Sequence, residues 1–259
     1  MCANYTPSRS DLIEAVTGLS LGFAVLPEVF PGQAAPLIRL TQDGEWQCIA
    51  SSFGLVPTWA KDAHFARHTY NARSETADSK PSFRNAWKGR HIGLVPMSGF
   101  YEPCYETSGV VRWRIHRSDQ AIFFAAALFE WRKGPTPEGL VSHTLLTVNA
   151  DGHPLMQRFH KAEDEKRSIV TFDWADGIQW VVTHRQADSE IRQSLIPIDI
   201  DSYTAEPAAM LRASKSTPKH PSGTTRTTIS KTTETNTSKS DKAKLTKLTD
   251  TISKNRELF

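Results

Sequence analysis

Short apolar runs bounded by Gly, Pro, Asp or Ser recur along the first four fifths of the chain, and few stretches keep the spacing of an amphipathic helix. Pro7 to Glu14 reads as a helix start, with Ser8 and Asp11 at capping-box spacing, and Gly18 is its stop. Pro36 to Leu40, the Asp43-Gly44 turn and Trp46 to Phe53 read as strand, turn and strand. His91 to Val95, Arg112 to His116 and Ile122 to Leu128 are strand-like, and Ser118-Asp119-Gln120 predicts a hairpin between the last two. His143 to Asn149 and Ile169 to Phe172 add strands, and Gln186 to Ser194 reads as a short helix. The pattern predicts an α+β, β-rich domain with a curved or barrel-like sheet and short flanking helices.

The pattern stops after Pro207, where Ser, Thr and Lys replace the large apolar residues. Such a segment buries too little surface to offset its ordering entropy. A folded domain over 1–207 is therefore expected, followed by a disordered basic tail over 208–259 with a transient helix near Lys239 to Lys254. Charge follows the same division. The tail carries 11 Lys plus Arg against 4 Asp plus Glu, or +7, which leaves 20 against 24, or −4, for residues 1–207. Any nucleic-acid contact by the folded part must come from a local patch.

No secretory leader or membrane-length apolar run is evident, so a soluble, cytoplasmic protein is expected. Three widely spaced cysteines without a Cys-x-x-Cys argue against a disulfide framework and against a metal site. No cofactor is expected.

Chemistry gathers at a few places. Removal of Met1 would leave Cys2 as a 1,2-aminothiol, whose amine condenses with aldehydes and whose thiol closes on the same carbon to a thiazolidine. Ring closure is intramolecular and so strongly favoured. Tyr70-Asn71-Ala72-Arg73-Ser74-Glu75-Thr76 is a polar cluster without strand or helix period, either a loop tied by its own hydrogen bonds or a site with Asn71 as an orienting amide and Arg73 as a phosphate fork. Glu102 closes the apolar run Leu94 to Tyr101, where a carboxylate suits proton transfer. His160 sits among cationic neighbours, with His153 and His184 as rivals. Trp59 follows Pro57 on a loop, either folded back on the core or exposed as a stacking surface. Asp164-Glu165-Lys166-Arg167 reads as a solvated face.

In their order, Met1-Cys2, Gly54-Leu55-Val56-Pro57-Thr58-Trp59, Asn71 to Thr76, Gly99-Phe100-Tyr101-Glu102 and His160 resemble the SRAP (SOS response-associated peptidase) family, from Met1 to about residue 205. The resemblance implies a protein that crosslinks through its N-terminal cysteine to abasic sites in single-stranded DNA once Met1 is removed, by the self-cleavage the family is named for or by an aminopeptidase; it leaves open whether AP-lyase cleavage of the strand follows. It implies Cys2 as nucleophile, Asn71 as the amide that orients it, Glu102 as acid/base and His160 as the group for ring opening and adduct reversal. It further implies DNA contacts from Arg73, Trp59, Asn4 and Thr147, and a DNA-associated monomer. The chain departs from the family where Ala3-Asn4 follows the cysteine, at Gln33-Ala34-Ala35-Pro36 and at Pro103. A reversible single-strand binder and an N-terminal-nucleophile amidohydrolase are the alternatives from other classes.

Overall fold

A computed structural model of the protein describes residues 2–106, 109–133, 139–186 and 191–209. In chain order its elements are β1 (Asn4–Pro7), α1 (Ser10–Thr17), β2 (Ala34–Leu40), β3 (Trp46–Phe53), β4 (Asn71–Arg73), α2 (Arg84–Lys88), β5 (Ile92–Cys104), β6 (Val111–Arg117), β7 (Phe123–Arg132), β8 (Leu140–Asn149), β9 (Arg167–Ile169), β10 (Thr171–Phe172), α3 (Trp174–Gln186) and β11 (Tyr203–Pro207).

Strands β7, β8, β3, β2 and β5 pair in that order, and pairing of β5 with β7 closes them into a five-stranded barrel. The expected β-rich architecture is therefore present. Strand β5 is long enough to serve β6 and β7 in addition to β1 and β2, with Ile92 to Met97 along β7 and Phe100 to Cys104 along β6. This division corrects the hairpin expected between β6 and β7. The turn forms, with Gln120 N donating to Arg117 O (3.0 Å), but each strand pairs with a different half of β5.

Both faces of the barrel wall are covered at β5, β7 and β8. Val95, Met97, Phe123, Ala125, Ala127 and Leu145 join one core cluster, and Leu94, Phe124, Ala126, Leu128 and Leu146 join a second. Successive side chains point to opposite faces, so strands buried on both sides read as unbroken apolar runs. Helix α3 lays Trp180 and Val181 on the second cluster.

Two helix expectations need correction. α1 starts at Ser10 after Arg9, without a side-chain cap, while the Ser8 hydroxyl is buried. Asp11 instead pairs with Arg9 (2.6 Å), which leaves no capping box; Gly18 stops the helix as expected, at φ 73° with its N–H on Glu14 O. The helix expected over 186–194 lies upstream, at Trp174–Gln186, and Ile191 to Ser194 form turns. The buried Trp180, Val181 and His184 share one face of α3, so its packing rather than its composition fixes the helix.

Past Pro207 the described chain continues along β6, Ala208 N donating to Arg112 O and Arg112 Nη1 to Ala209 O (2.8 Å each). The rest of the expected tail and its transient helix lie outside the described residues. Among the described residues no helix is long and apolar enough to cross a membrane.

Candidate active site

Strand β1 carries the start of the chain onto β5. Asn4, Tyr5 and Thr6 lie opposite Tyr101, Phe100 and Gly99, and Tyr5 also bonds the backbone of Val29. This seats Cys2 in the cluster that takes Phe100 and Cys104 from β5. Alternation along β5 points Glu102 toward the same face. The Cys2 side chain is fully enclosed, and its thiol donates to Asn4 O (3.3 Å). Burial pushes the thiol well above its ordinary range, and the charge of Glu102 pushes it further, with Tyr101 and Asn4 backbone groups opposing weakly. At neutral pH Cys2 is a thiol that needs a base.

Asn71 reaches the same spot from β4, which runs parallel to β8 with Asn71 opposite Leu145. Its Nδ2 donates to Cys2 O (2.8 Å), while Oδ1 is buried without a partner among the described residues. A buried amide oxygen left over in this way is a receptor for an N–H.

His160 arrives on the turn after Met156–Arg158. Phe159 is buried, bridges Cys104 and meets Trp113 edge-on (6.3 Å), and His160 N donates to Pro103 O (2.8 Å). His160 has φ 63°, a left-handed conformation that costs an L-residue about 1–2 kcal/mol. Its Nε2 stands 2.9 Å from Glu102 Oε2, and Glu102 is only 2% exposed. The expected cationic surroundings are thus corrected: Arg158 turns away to Glu106 (3.0 Å) and the Trp113 ring, and a carboxylate faces the imidazole.

Of the rival histidines, His153 bonds Ile198 O (2.7 Å) through Nε2 and the N–H groups of Leu155 and Met156 through Nδ1, which is a structural assignment. His184 lies on α3 beside Trp180. Neither joins Cys2.

Cys2, Asn71, Glu102 and His160 are brought together; the expected DNA contacts are placed differently. Trp59 is 52% exposed, edge-on to Phe65 (5.1 Å), and borders an open cavity of about 520 Å³ with Lys61, His64 and His68. It does not fold back on the core. Its loop depends on Gly54, at φ 100°, where a Cβ would lie 2.1 Å from Ala66 O. Arg73 is half exposed and paired with Glu165 (2.6 Å). Asn4 and Thr147 are buried and serve internal partners. Asn4 Nδ2 donates to Glu28, itself paired with Arg112, whose guanidinium lies 3.3 Å over the Tyr101 ring. The Thr147 hydroxyl accepts from Arg167 Nη2 (3.2 Å) and donates to Ala72 O. Neither offers its side chain to a phosphate in this state.

Sequence reasoning missed the residues beneath Cys2. Tyr70 packs, half-buried, against the cluster that holds Cys2, and burial first of all raises its hydroxyl above the ordinary range; its place at the head of the polar cluster was its one signal. Tyr5 Oη lies 3.2 Å from His143 Nε2, and His143 Nδ1 lies 3.0 Å from Ser51 Oγ, a buried polar chain under the site. Among the described residues no group of three or more His, Cys, Asp or Glu converges on a metal position.

Comparison with known proteins follows the same lines. A family model described as SOS response associated peptidase (SRAP) matches residues 8–210. The abasic site processing protein YoqW of Bacillus subtilis is 30% identical over 155 residues, 59% of this chain and 65% of that protein. The abasic site processing protein YoaM of the same organism is 27% identical over 154 residues, 59% and 64%. The chain thus spans about two thirds of the length of these relatives, slightly less in each case. A crystal structure of a Bordetella bronchiseptica protein superposes with TM-score 0.72 at 26% identity, covering 81% of this chain and 100% of that one. A Bacteroides thetaiotaomicron structure, at 21% identity and TM-score 0.66, shares the fold over 80% and 92% of the two chains.

Proposed function

The chain belongs to the SOS response associated peptidase (SRAP) family, and from that membership we propose that it processes abasic sites in single-stranded DNA by covalent attachment through Cys2. Removal of Met1, which lies outside the described residues, frees the α-amine. The open form of an abasic sugar is an aldehyde. The amine adds to it, the carbinolamine loses water to a Schiff base, and the thiol adds across the C=N bond while its proton passes to nitrogen. One water leaves, nothing is oxidised, and the product is a thiazolidine.

Each polar group has a task in that sequence. Asn71 holds the Cys2 carbonyl with Nδ2, and its vacant Oδ1 suits an N–H of the new amine. Glu102 moves the protons of dehydration and of thiol addition, and the adjacent His160 works on the sugar ring oxygen and on adduct reversal. The thiol and carboxylate also suit hydrolysis of the Met1-Cys2 bond, the self-cleavage that the family name implies. The Schiff base opens the way to β-elimination of the strand, an AP-lyase reaction. Arg73 engages a phosphate once Glu165 yields it, Trp59 stacks beside the lesion, and the basic tail adds salt-dependent attraction.

The single supporting observation is that the contact from Asn71 to Cys2 (2.8 Å) and the contact from His160 to Glu102 (2.9 Å) occupy one buried site. The test mixes protein of verified Met1 removal with a single-stranded oligonucleotide bearing one abasic site, beside Cys2→Ala, on a denaturing gel. A band that survives denaturation and vanishes in Cys2→Ala is expected. No band, with Met1 fully removed, would refute the covalent reading in favour of a reversible binder.

A further inference from the structure

Asp164 and Glu165 are exposed, as their charges suggested, but the second half of the stretch 164–167 is not a solvated face. Lys166 is 8% exposed and Arg167 3%, both turned inward. Arg167 is held by Glu75 (2.8 Å), Glu165 (2.7 Å) and Thr147 O (2.8 Å). Among the described residues no carboxylate pairs with the Lys166 ammonium. Its Nζ donates to the carbonyls of Phe159 (3.0 Å), His160 (3.4 Å) and Lys161 (2.5 Å).

An ammonium has three N–H donors, and here all three are taken by three successive carbonyls. Successive carbonyls converge on one point only where the backbone reverses, and the reversal is the left-handed His160 at φ 63°. The lysine is itself fixed at its base. Its N–H donates to Asp151 Oδ1 (2.9 Å), its carbonyl accepts from Ala150 N (2.8 Å), and the next residue pairs with Asn149 of β8. The ammonium therefore ties the turn carrying His160 to the barrel wall. Without it, one buried and two part-buried carbonyls lose their charged donor and the left-handed residue loses its restraint.

We infer that Lys166 is a positioning residue: its buried ammonium fixes the Phe159-to-Lys161 turn so that the His160 imidazole stays on Glu102, and it thereby sets the rate of the His160-dependent step. The inference rests on the role proposed above for His160. It reaches the reaction only through the turn, because Nζ contacts backbone oxygens and not the reacting groups. Its signature is accordingly a copy of the His160 phenotype and not a general loss of activity.

The experiment measures adduct formation and adduct reversal separately, the latter by chasing a labelled crosslink with excess unlabelled abasic oligonucleotide. The proteins are the full chain, His160→Ala, Lys166→Met, Lys166→Arg and the double variant Lys166→Met/His160→Ala. Reversal in Lys166→Met is expected to fall about tenfold or more, as displaced catalytic groups do, with formation falling less. Lys166→Arg, which keeps the charge and the donors, should recover most of the loss. The double variant should be no slower than His160→Ala, since both changes remove one function. Parental reversal in Lys166→Met alongside slow reversal in His160→Ala would overturn the inference, as would losses that multiply in the double variant. Unchanged reversal in His160→Ala would overturn the role given to His160 and the positioning role with it. If Lys166→Met fails to fold, as judged by its thermal melt, Lys166→Gln with two donors is read in its place, against the same refuting outcome.

Discussion

Acid should destabilise this protein through His143. Its ring is fully buried on β8, stacked on Phe53 (5.5 Å), with Tyr5 on one nitrogen and Ser51 on the other. Burial lowers its pKa from 6.5 to about 3. The folded value lies below the unfolded one, so the unfolded chain takes the proton first. The stabilisation is complete above the unfolded value and is lost as pH falls toward the folded one. Each pH unit inside that window is worth about 1.4 kcal/mol. From about pH 7.5 to about pH 5 the loss is about 2 kcal/mol, most of it below the unfolded pKa. Urea denaturation of the parent and of His143→Gln at several pH values, at fixed ionic strength, reads this directly. The carboxylates titrate in both proteins, so their contribution cancels in the difference. The variant should be less stable at neutral pH, yet should lose about 2 kcal/mol less on acidification. Equal losses in the two proteins would refute the reasoning, because the ring would then be titrating alike in both states.

Three further outcomes test other parts of the structure. Glu102→Gln should slow crosslink formation by about a hundredfold or more in a quantitative gel time course, while its circular dichroism matches the parent. Arg73→Ala should weaken single-strand binding and flatten the logarithmic salt dependence by about 0.7, the share of one phosphate, measured by fluorescence anisotropy; an unchanged slope would remove Arg73 from the backbone contacts. Gly54→Ala should lower the melting temperature, since the left-handed backbone alone costs about 1–2 kcal/mol and the added carbon meets Ala66 O at 2.1 Å.

Much of the fold was legible because β5, β7 and β8 are buried on both faces over most of their length. β2 and β3 show their turn at Asp43-Gly44, and the apolar runs of β7 and β8 stand out. β1, β4 and β11 were not legible. Each is short, and β4 consists of Asn71, Ala72 and Arg73, whose polar ends hide a strand that exists only because β8 accepts it. Helix α3 was missed because Asp176, Gly177 and Gln179 dilute the apolar positions that pack. At the candidate site, Cys2, Asn71, Glu102 and His160 were each visible as chemistry without a structural reason. Their order along the chain suggested a family, but their meeting depends on long-range pairing of β1 with β5. Lys166 could not be read, because a lysine between a glutamate and an arginine looks like solvent-facing charge. Its burial follows from three carbonyls that only a left-handed turn gathers together.

The enclosure of Cys2 has a consequence for selectivity. An aminothiol standing in open water condenses with any small aldehyde that diffuses past, and metabolism makes many. Here the sulfur has no exposed surface, and its amide is held by Asn71 within the barrel wall. On the proposed chemistry, free aldehydes meet a closed surface, while a sugar carried in on a bound strand has the binding energy of its flanking nucleotides to open one. On that proposal burial serves as discrimination: access to the thiol would be conditional on the polymer to which the right aldehyde is attached.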